Sequence, residues 1–117
     1  MIDLHAHVVL PEVMGRAGRY GPELLREADG TPVFRVGDYR LVGVPYEGTP
    51  FIDVGLRVEA MDAAGIEIQV LSPNPLTYFH HIEAPVAAEF CRWHNDSMAE
   101  AVARYPTRLA GFAQLPI

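Results

Sequence analysis

The sequence predicts an α/β fold built on parallel strands, and three observations carry that expectation. Short β-prone runs alternate with helical runs in the order strand, excursion with hairpin, helix, strand, helix, strand. The first strand and the helix, strand, helix and strand that follow the excursion form two consecutive strand-helix-strand crossovers, the connection that parallel neighbours require. Finally, 117 residues of which half are apolar can bury roughly 65% of the unfolded surface, enough for one packed domain without disulfides.

Taken in chain order, Ile2 to Val8 alternates with period two, setting Ile2, Leu4, Ala6 and Val8 on one face and Asp3, His5 and His7 on the other. A polar inner face suits a strand whose end lines a site. Residues 11 to 31 are rich in Gly, Pro and charge and read as an irregular excursion, with a short helix possible around Pro22 to Ala28. Pro32 to Val36 and Tyr39 to Val44 are β-prone and flank Gly37-Asp38, a two-residue hairpin signal. Excursion and hairpin together, at about 11 to 50, read as an insertion in a single domain spanning 1 to 117.

Asp53 is placed to cap a helix that carries Val54, Val58, Met61 and Ala64 at helical spacing and stops at Gly65. Ile66 to Ser72 reads as the second strand, broken by Ser72-Pro73-Asn74-Pro75, and the loop continues through His81. Glu83 to Tyr105 reads as a long helix with Pro85 in its first turn and a packing stripe of Val86, Phe90, Trp93, Ala101 and Tyr105. Arg108 to Leu115 is the third strand. Ile117 then stands at a strand tip, where an α/β chain is expected to turn into a further helix.

Charge and cysteine content narrow the function classes. The net charge is -6, and all nine basic residues are Arg, scattered from Arg16 to Arg108, so no basic stripe exists to collect phosphates and a nucleic-acid partner is not expected. No apolar run approaches the roughly 18 residues of a membrane span. The lone Cys91 has no partner for an internal disulfide, which fits a reducing, cytoplasmic location.

The chemistry concentrates in His5-Ala6-His7, two imidazoles on one strand face with α-carbons about 7 Å apart. Their nitrogens can converge on one divalent metal, and catalytic zinc sites use such ligands while keeping one position open. In α/β folds such sites lie at the carboxyl ends of parallel strands. Tyr78 and Phe79, on the loop after the second strand, can wall a flat unsaturated or aromatic substrate, with His80 donating a hydrogen bond; the competing reading packs these rings on the rim. Cys91, His94, Asn95, Arg57, Asp62 and Arg108 read as structural.

Ile2-Asp3-Leu4-His5-Ala6-His7 resembles the opening strand of the amidohydrolase superfamily. Tyr39-Arg40, Arg57 through Met61-Asp62 and Gly65-Ile66, Gln69-Val70-Leu71-Ser72, Asn95-Asp96 and Arg108 through Pro116 extend the match over nearly the whole chain. Together they resemble the amidohydrolase-related branch that contains aminocarboxymuconate-semialdehyde decarboxylase and the aromatic acid decarboxylases.

The resemblance implies a distorted (β/α)8 TIM barrel with one catalytic divalent metal, Zn2+ in most members and Mn2+ in some. His5 and His7 match its first two metal ligands. The third His ligand, the catalytic His and the metal-binding Asp come from later strands in that family, so no catalytic residue is assigned here and His80, His81 and His94 are not put in those roles. A barrel needs about 200 to 250 residues, so the chain corresponds to the N-terminal part, with about three strands and a small inserted hairpin. Arg40 matches a position facing the substrate carboxylate, a role its guanidinium fork suits, with Arg35 as a competitor.

The function implied is metal-dependent, non-oxidative decarboxylation of a small unsaturated or aromatic carboxylic acid. Hydrolysis on the same ligands, or a non-catalytic truncated fragment, are the alternatives. The complete protein is expected to form a homo-oligomer, and the 117-residue chain alone to be catalytically silent.

Overall fold

The computed structural model describes residues 1–117. In chain order its elements are β1 (Ile2–Val8), β2 (Glu23–Arg26), β3 (Pro32–Val36), β4 (Tyr39–Val42), α1 (Val54–Ala64), β5 (Ile68–Pro73), α2 (Ala84–Arg104) and β6 (Leu109–Gly111). β1, β5 and β6 form a parallel sheet in the order β1-β5-β6, while β2, β3 and β4 form an antiparallel sheet in chain order. The expected α/β class and its parallel strands are therefore present, with the inserted hairpin enlarged to three strands.

That enlargement corrects the short helix expected around Pro22 to Ala28. Glu23–Arg26 is a strand because Leu24 and Leu25 pair with Phe34 and Val33 of β3, a partner that local helical propensity cannot anticipate. Phe34 and Val33 are almost completely buried, and Phe34 meets Tyr46 edge to face at 5.1 Å. Tyr46 in turn stacks at 5.0 Å on Phe51, next to the start of α1. The insertion thus packs on the main core through a row of rings.

α1 has the ends its sequence predicts. The Asp53 carboxylate accepts the Leu56 N–H at 3.0 Å, and Gly65 closes the helix in the left-handed region at φ 73°, where a side chain would be strained. Arg108 holds the following turn from outside, donating to Asp62 at 2.6 Å and to the carbonyls of Glu67 and Ile66.

α2 buries Ala87, Phe90, Cys91, His94, Ser97, Met98 and Ala101 along one side. Trp93 does not belong to that stripe. It is partly exposed, and the Arg16 guanidinium lies 3.6 Å above its ring centre as a cation–π lid. No helix is long and apolar enough to cross a membrane.

Two differences in the parallel sheet bear on the site. β6 ends at Gly111 rather than Leu115, because after the Phe112 N–H bonds the Leu71 carbonyl at 2.9 Å the backbone leaves the sheet for α2. β1 is interrupted as well: Asp3 stands opposite Gln69 but Ala6 opposite Leu71, so one extra residue is accommodated between them. That bulge breaks the expected alternation. Asp3 joins the Gln69 side of the sheet, while Ile2, opposite Ile68, shares the side of His7, opposite Ser72. Ile2 and Leu4, expected with Ala6 and Val8 on the face opposite the histidines, are instead 56% and 70% exposed on an open face.

At Gly111 the strand passes close to α2, since a β-carbon there would lie 2.7 Å from Met98 Cγ and Sδ. Gly111→Ala is expected to displace Met98 and destabilise the fold by about 1–3 kcal/mol. Urea unfolding of the two chains should show the lower midpoint at unchanged slope.

Candidate metal centre

His5 and His7 project from the carboxyl half of β1 with ring centres 4.7 Å apart, edge to face at 81°. The Nδ1 of His7 lies 3.2 Å from the Pro73 carbonyl oxygen, across the β1-β5 pair. A carbonyl only accepts, so this contact is a bond when Nδ1 carries the proton, which leaves the Nε2 lone pair free. Metal-ligating histidines are oriented in this way, the far ring nitrogen donating to a carbonyl or carboxylate. The pair therefore offers two imidazole donors suited to a borderline divalent ion. No group of three His, Cys, Asp or Glu residues comes together in the chain, so these two would be part of a ligand set.

Asp3 does not join them. Its Oδ1 accepts the His5 N–H at 3.1 Å and its Oδ2 accepts from Gln69 Nε2 at 2.9 Å. The His5 N–H, and after it the Gln69 amide, hold this carboxyl below the usual carboxylate range. Gln69 passes the contact inward by accepting from Arg57 at 2.8 Å, and the same buried guanidinium donates to the His7 carbonyl at 2.8 Å. Burial lowers the Arg57 pKa, partly opposed by the Asp3 charge.

Beside His7 lies a groove of about 350 Å3, bordered by Ser72, Pro73, Tyr78, His80, Phe112 and Gln114 among others. Tyr78 and His80 meet there edge to face at 5.8 Å. Phe79, expected to wall the substrate with Tyr78, turns the other way. It is 3% exposed, sits at φ 54° and packs edge to face on Phe90 at 4.8 Å, so its burial in the core is what aims its two neighbours outward.

Arg40 lies on β4, where Glu27 holds it at 3.1 Å; Arg35 is held by Glu23 at 2.9 Å. Neither borders the groove. The structure thus brings His5 and His7 together, sets Tyr78 and His80 in the groove beside His7, and leaves Arg40 with an internal partner.

Gln114 lies within the Arg108 through Pro116 match but is given no role by the sequence. Its backbone is clamped by Asn95, which accepts the Gln114 N–H at 2.7 Å and donates to its carbonyl at 3.0 Å, and its side chain donates to Thr77 O at 2.6 Å. The signal lies in a reciprocal pair 19 residues apart, invisible without the fold. Cys91 and His94 are buried in α2, as expected of structural residues, and burial raises the thiol's pKa.

No family model matches the chain. The gamma-resorcylate decarboxylase of Rhizobium radiobacter is 34% identical over 102 residues, covering 82% of this chain and 28% of that protein. A dihydroxybenzoic acid decarboxylase from Polaromonas sp. JS666, solved with bound manganese and the inhibitor 2-nitroresorcinol, aligns at TM-score 0.63 and 29% identity over 98% of this chain and 30% of its own. The IDCase of Metarhizium anisopliae, in apo form, aligns at TM-score 0.76 over 98% of this chain and 34% of its own; at 20% identity this likeness shows the fold alone.

By fold, the chain matches part of the (β/α)8 barrel class to which these structures belong. By sequence, it is similar within that class to the gamma-resorcylate decarboxylases, which bears out the resemblance read from its motifs. It spans about a third of the length of these relatives or less.

His94 makes acid stability measurable. Its Nδ1 is buried without a partner, and burial pushes its pKa down to about 4 from an ordinary 6.5. Between those values the unfolded chain takes a proton that the folded chain refuses, so stability falls as pH drops through this window. His94 is expected to account for up to about 3 kcal/mol of that loss. Urea unfolding at neutral pH and near pH 4 should show a smaller decrease for His94→Leu than for the parent chain.

Proposed function

We propose that the chain forms the first part of the active-site framework of a metal-dependent, non-oxidative decarboxylase acting on a small aromatic carboxylic acid. The observation that carries this reading is the His5 and His7 pair, its His7 tautomer set by Pro73 and its rings beside a groove with an aromatic border. The sequence relatives are decarboxylases of a dihydroxybenzoate, and one structural relative holds manganese.

His5 and His7 would hold a divalent ion, which when bound supplies a Lewis acid for a substrate oxygen. Two imidazoles suit Zn2+ well, and the manganese of the Polaromonas relative makes Mn2+ the other candidate. Further ligands come from outside residues 1–117 in this reading. Tyr78 and Phe112 border the groove as flat apolar surfaces for a ring, and His80 can hydrogen-bond a substrate hydroxyl or carboxylate. Arg40 serves the carboxylate only in exchange for Glu27, its present partner. Phe79 acts from the core and does not touch substrate in this proposal. A cytoplasmic location suits the single buried thiol, and a homo-oligomer remains the proposed state of the complete barrel.

A chimera tests this directly. Residues 1–117 would replace the corresponding segment of the Rhizobium radiobacter decarboxylase, and CO2 release from gamma-resorcylate would be followed with Zn2+, with Mn2+ and after chelation. Metal-dependent release that His7→Ala abolishes is expected. A folded, metal-loaded chimera that releases no CO2 from any hydroxybenzoate would overturn the assignment. The chain alone, with two ligands, is expected to show no turnover in the same assay.

A further inference from the structure

A polar network beneath β1, buried at Arg57 and Gln69 and partly exposed at Asp3, ends at both extremities on the backbone that carries the two histidines. One end is Asp3 Oδ1, which takes the His5 N–H; the other is Arg57, which donates to the His7 carbonyl. Gln69 joins them, giving its amide hydrogen to Asp3 and receiving from Arg57 on its oxygen. Between the anchored points lies the bulge, with Asp3 opposite Gln69 and Ala6 opposite Leu71.

From this we propose that Asp3, Gln69 and Arg57 are positioning residues for the His5 and His7 pair. The inference rests on the metal reading above and deepens it. A bulge re-aims the side chains it carries, but it also takes a residue out of the ladder. Here the side chain of Asp3 accepts the His5 N–H, two residues along the chain. The bulge also moves the Asp3 carboxylate off the histidine side, where its charge offsets the buried guanidinium through one amide.

Arg57 has no carboxylate in direct contact, so Gln69 is the connection that lets the two opposite charges share one site. A glutamine is the one residue of that length that presents an acceptor to Arg57 and a donor to Asp3 at once. Fixing His5 on one side and His7 on the other sets the distance between their rings, on which chelation by two imidazoles depends.

The test uses the purified 117-residue chain and Co2+ alone, followed by the His5 and His7 ring-proton signals and by the visible absorption of bound cobalt. Gln69→Glu keeps the acceptor for Arg57 but sets a second carboxylate against Asp3. It is expected to weaken Co2+ binding about 10- to 100-fold and to shift the cobalt spectrum. Adding Asp3→Asn restores the donor and acceptor pairing in reverse and is expected to recover affinity and spectrum.

Thermal unfolding without metal establishes that each variant is folded. If Gln69→Glu does not fold, Asp3→Asn alone carries the test, because it removes one of the two bonds at a partly exposed position and is expected to weaken Co2+ binding. Unchanged affinity and spectrum in a folded variant would overturn the positioning role and leave the metal reading intact. If the chain alone, with two ligands, binds too weakly, the same variants are compared in the chimera with the Rhizobium radiobacter decarboxylase; failure of both to show cobalt binding that His5→Ala removes would overturn both readings.

Discussion

The buried guanidinium of Arg57 is the constraint around which the parallel sheet is arranged. A charge taken out of water must be matched by acceptors, and an Arg held at this depth has few ways to find them. It reaches the carbonyls of His7 and Phe51 and the side chain of Gln69, so one residue of α1 ties together β1, β5 and the segment entering the helix. The Val9 N–H bonds the same Phe51 carbonyl at 3.0 Å, which continues that tie at the end of β1. Losing this residue would take a donor from the Gln69 side chain and from the His7 carbonyl, while the Phe51 carbonyl would keep the Val9 N–H; the one orphan atom of Arg57 is Nε.

A second set of bonds works at the opposite side of the sheet. Asn95 grips the Gln114 backbone, and Gln114 grips the loop after β5 at Thr77, so α2 holds both borders of the groove through one pair of amides. Phe79 fixes the same loop from within, its ring against Phe90 and Tyr20. The groove beside His7 is therefore bounded by segments that are irregular in backbone yet anchored at several points, as loops carrying function on a rigid sheet need to be.

The sheet itself has two free edges, β1 and β6, and an open face bearing Ile2, Leu4 and the two histidines. Parallel sheets are ordinarily covered on both faces, and the barrel relatives are about three times as long as this chain. The exposed Phe112 and Leu115 beyond β6 continue the same apolar margin. Ile2 and Leu4 beside the two histidines fit one wall of a closed barrel, with the proposed ligands His5 and His7 toward the carboxyl end of the strand.

Much of this could be read from the residues. Period-two alternation, Asp53 and Gly65 at the ends of α1, the proline-rich break after β5 and the two crossovers determined an α/β chain with parallel strands, because each is a local signal. The His-x-His pair was likewise visible, since two residues on one strand face need no tertiary contact to be neighbours. Tertiary structure alone decided the rest. Glu23–Arg26 became a strand because β3 offered it a partner, Phe79 went inward because Phe90 and Tyr20 left a place for its ring, and Arg40 was taken by Glu27, just past the end of β2. Asp3 departed from the histidine face for the same kind of reason. Its position depends on Gln69 and Arg57, residues 66 and 54 places away in the chain, and no strand periodicity contains a bond between side chains that only folding brings together.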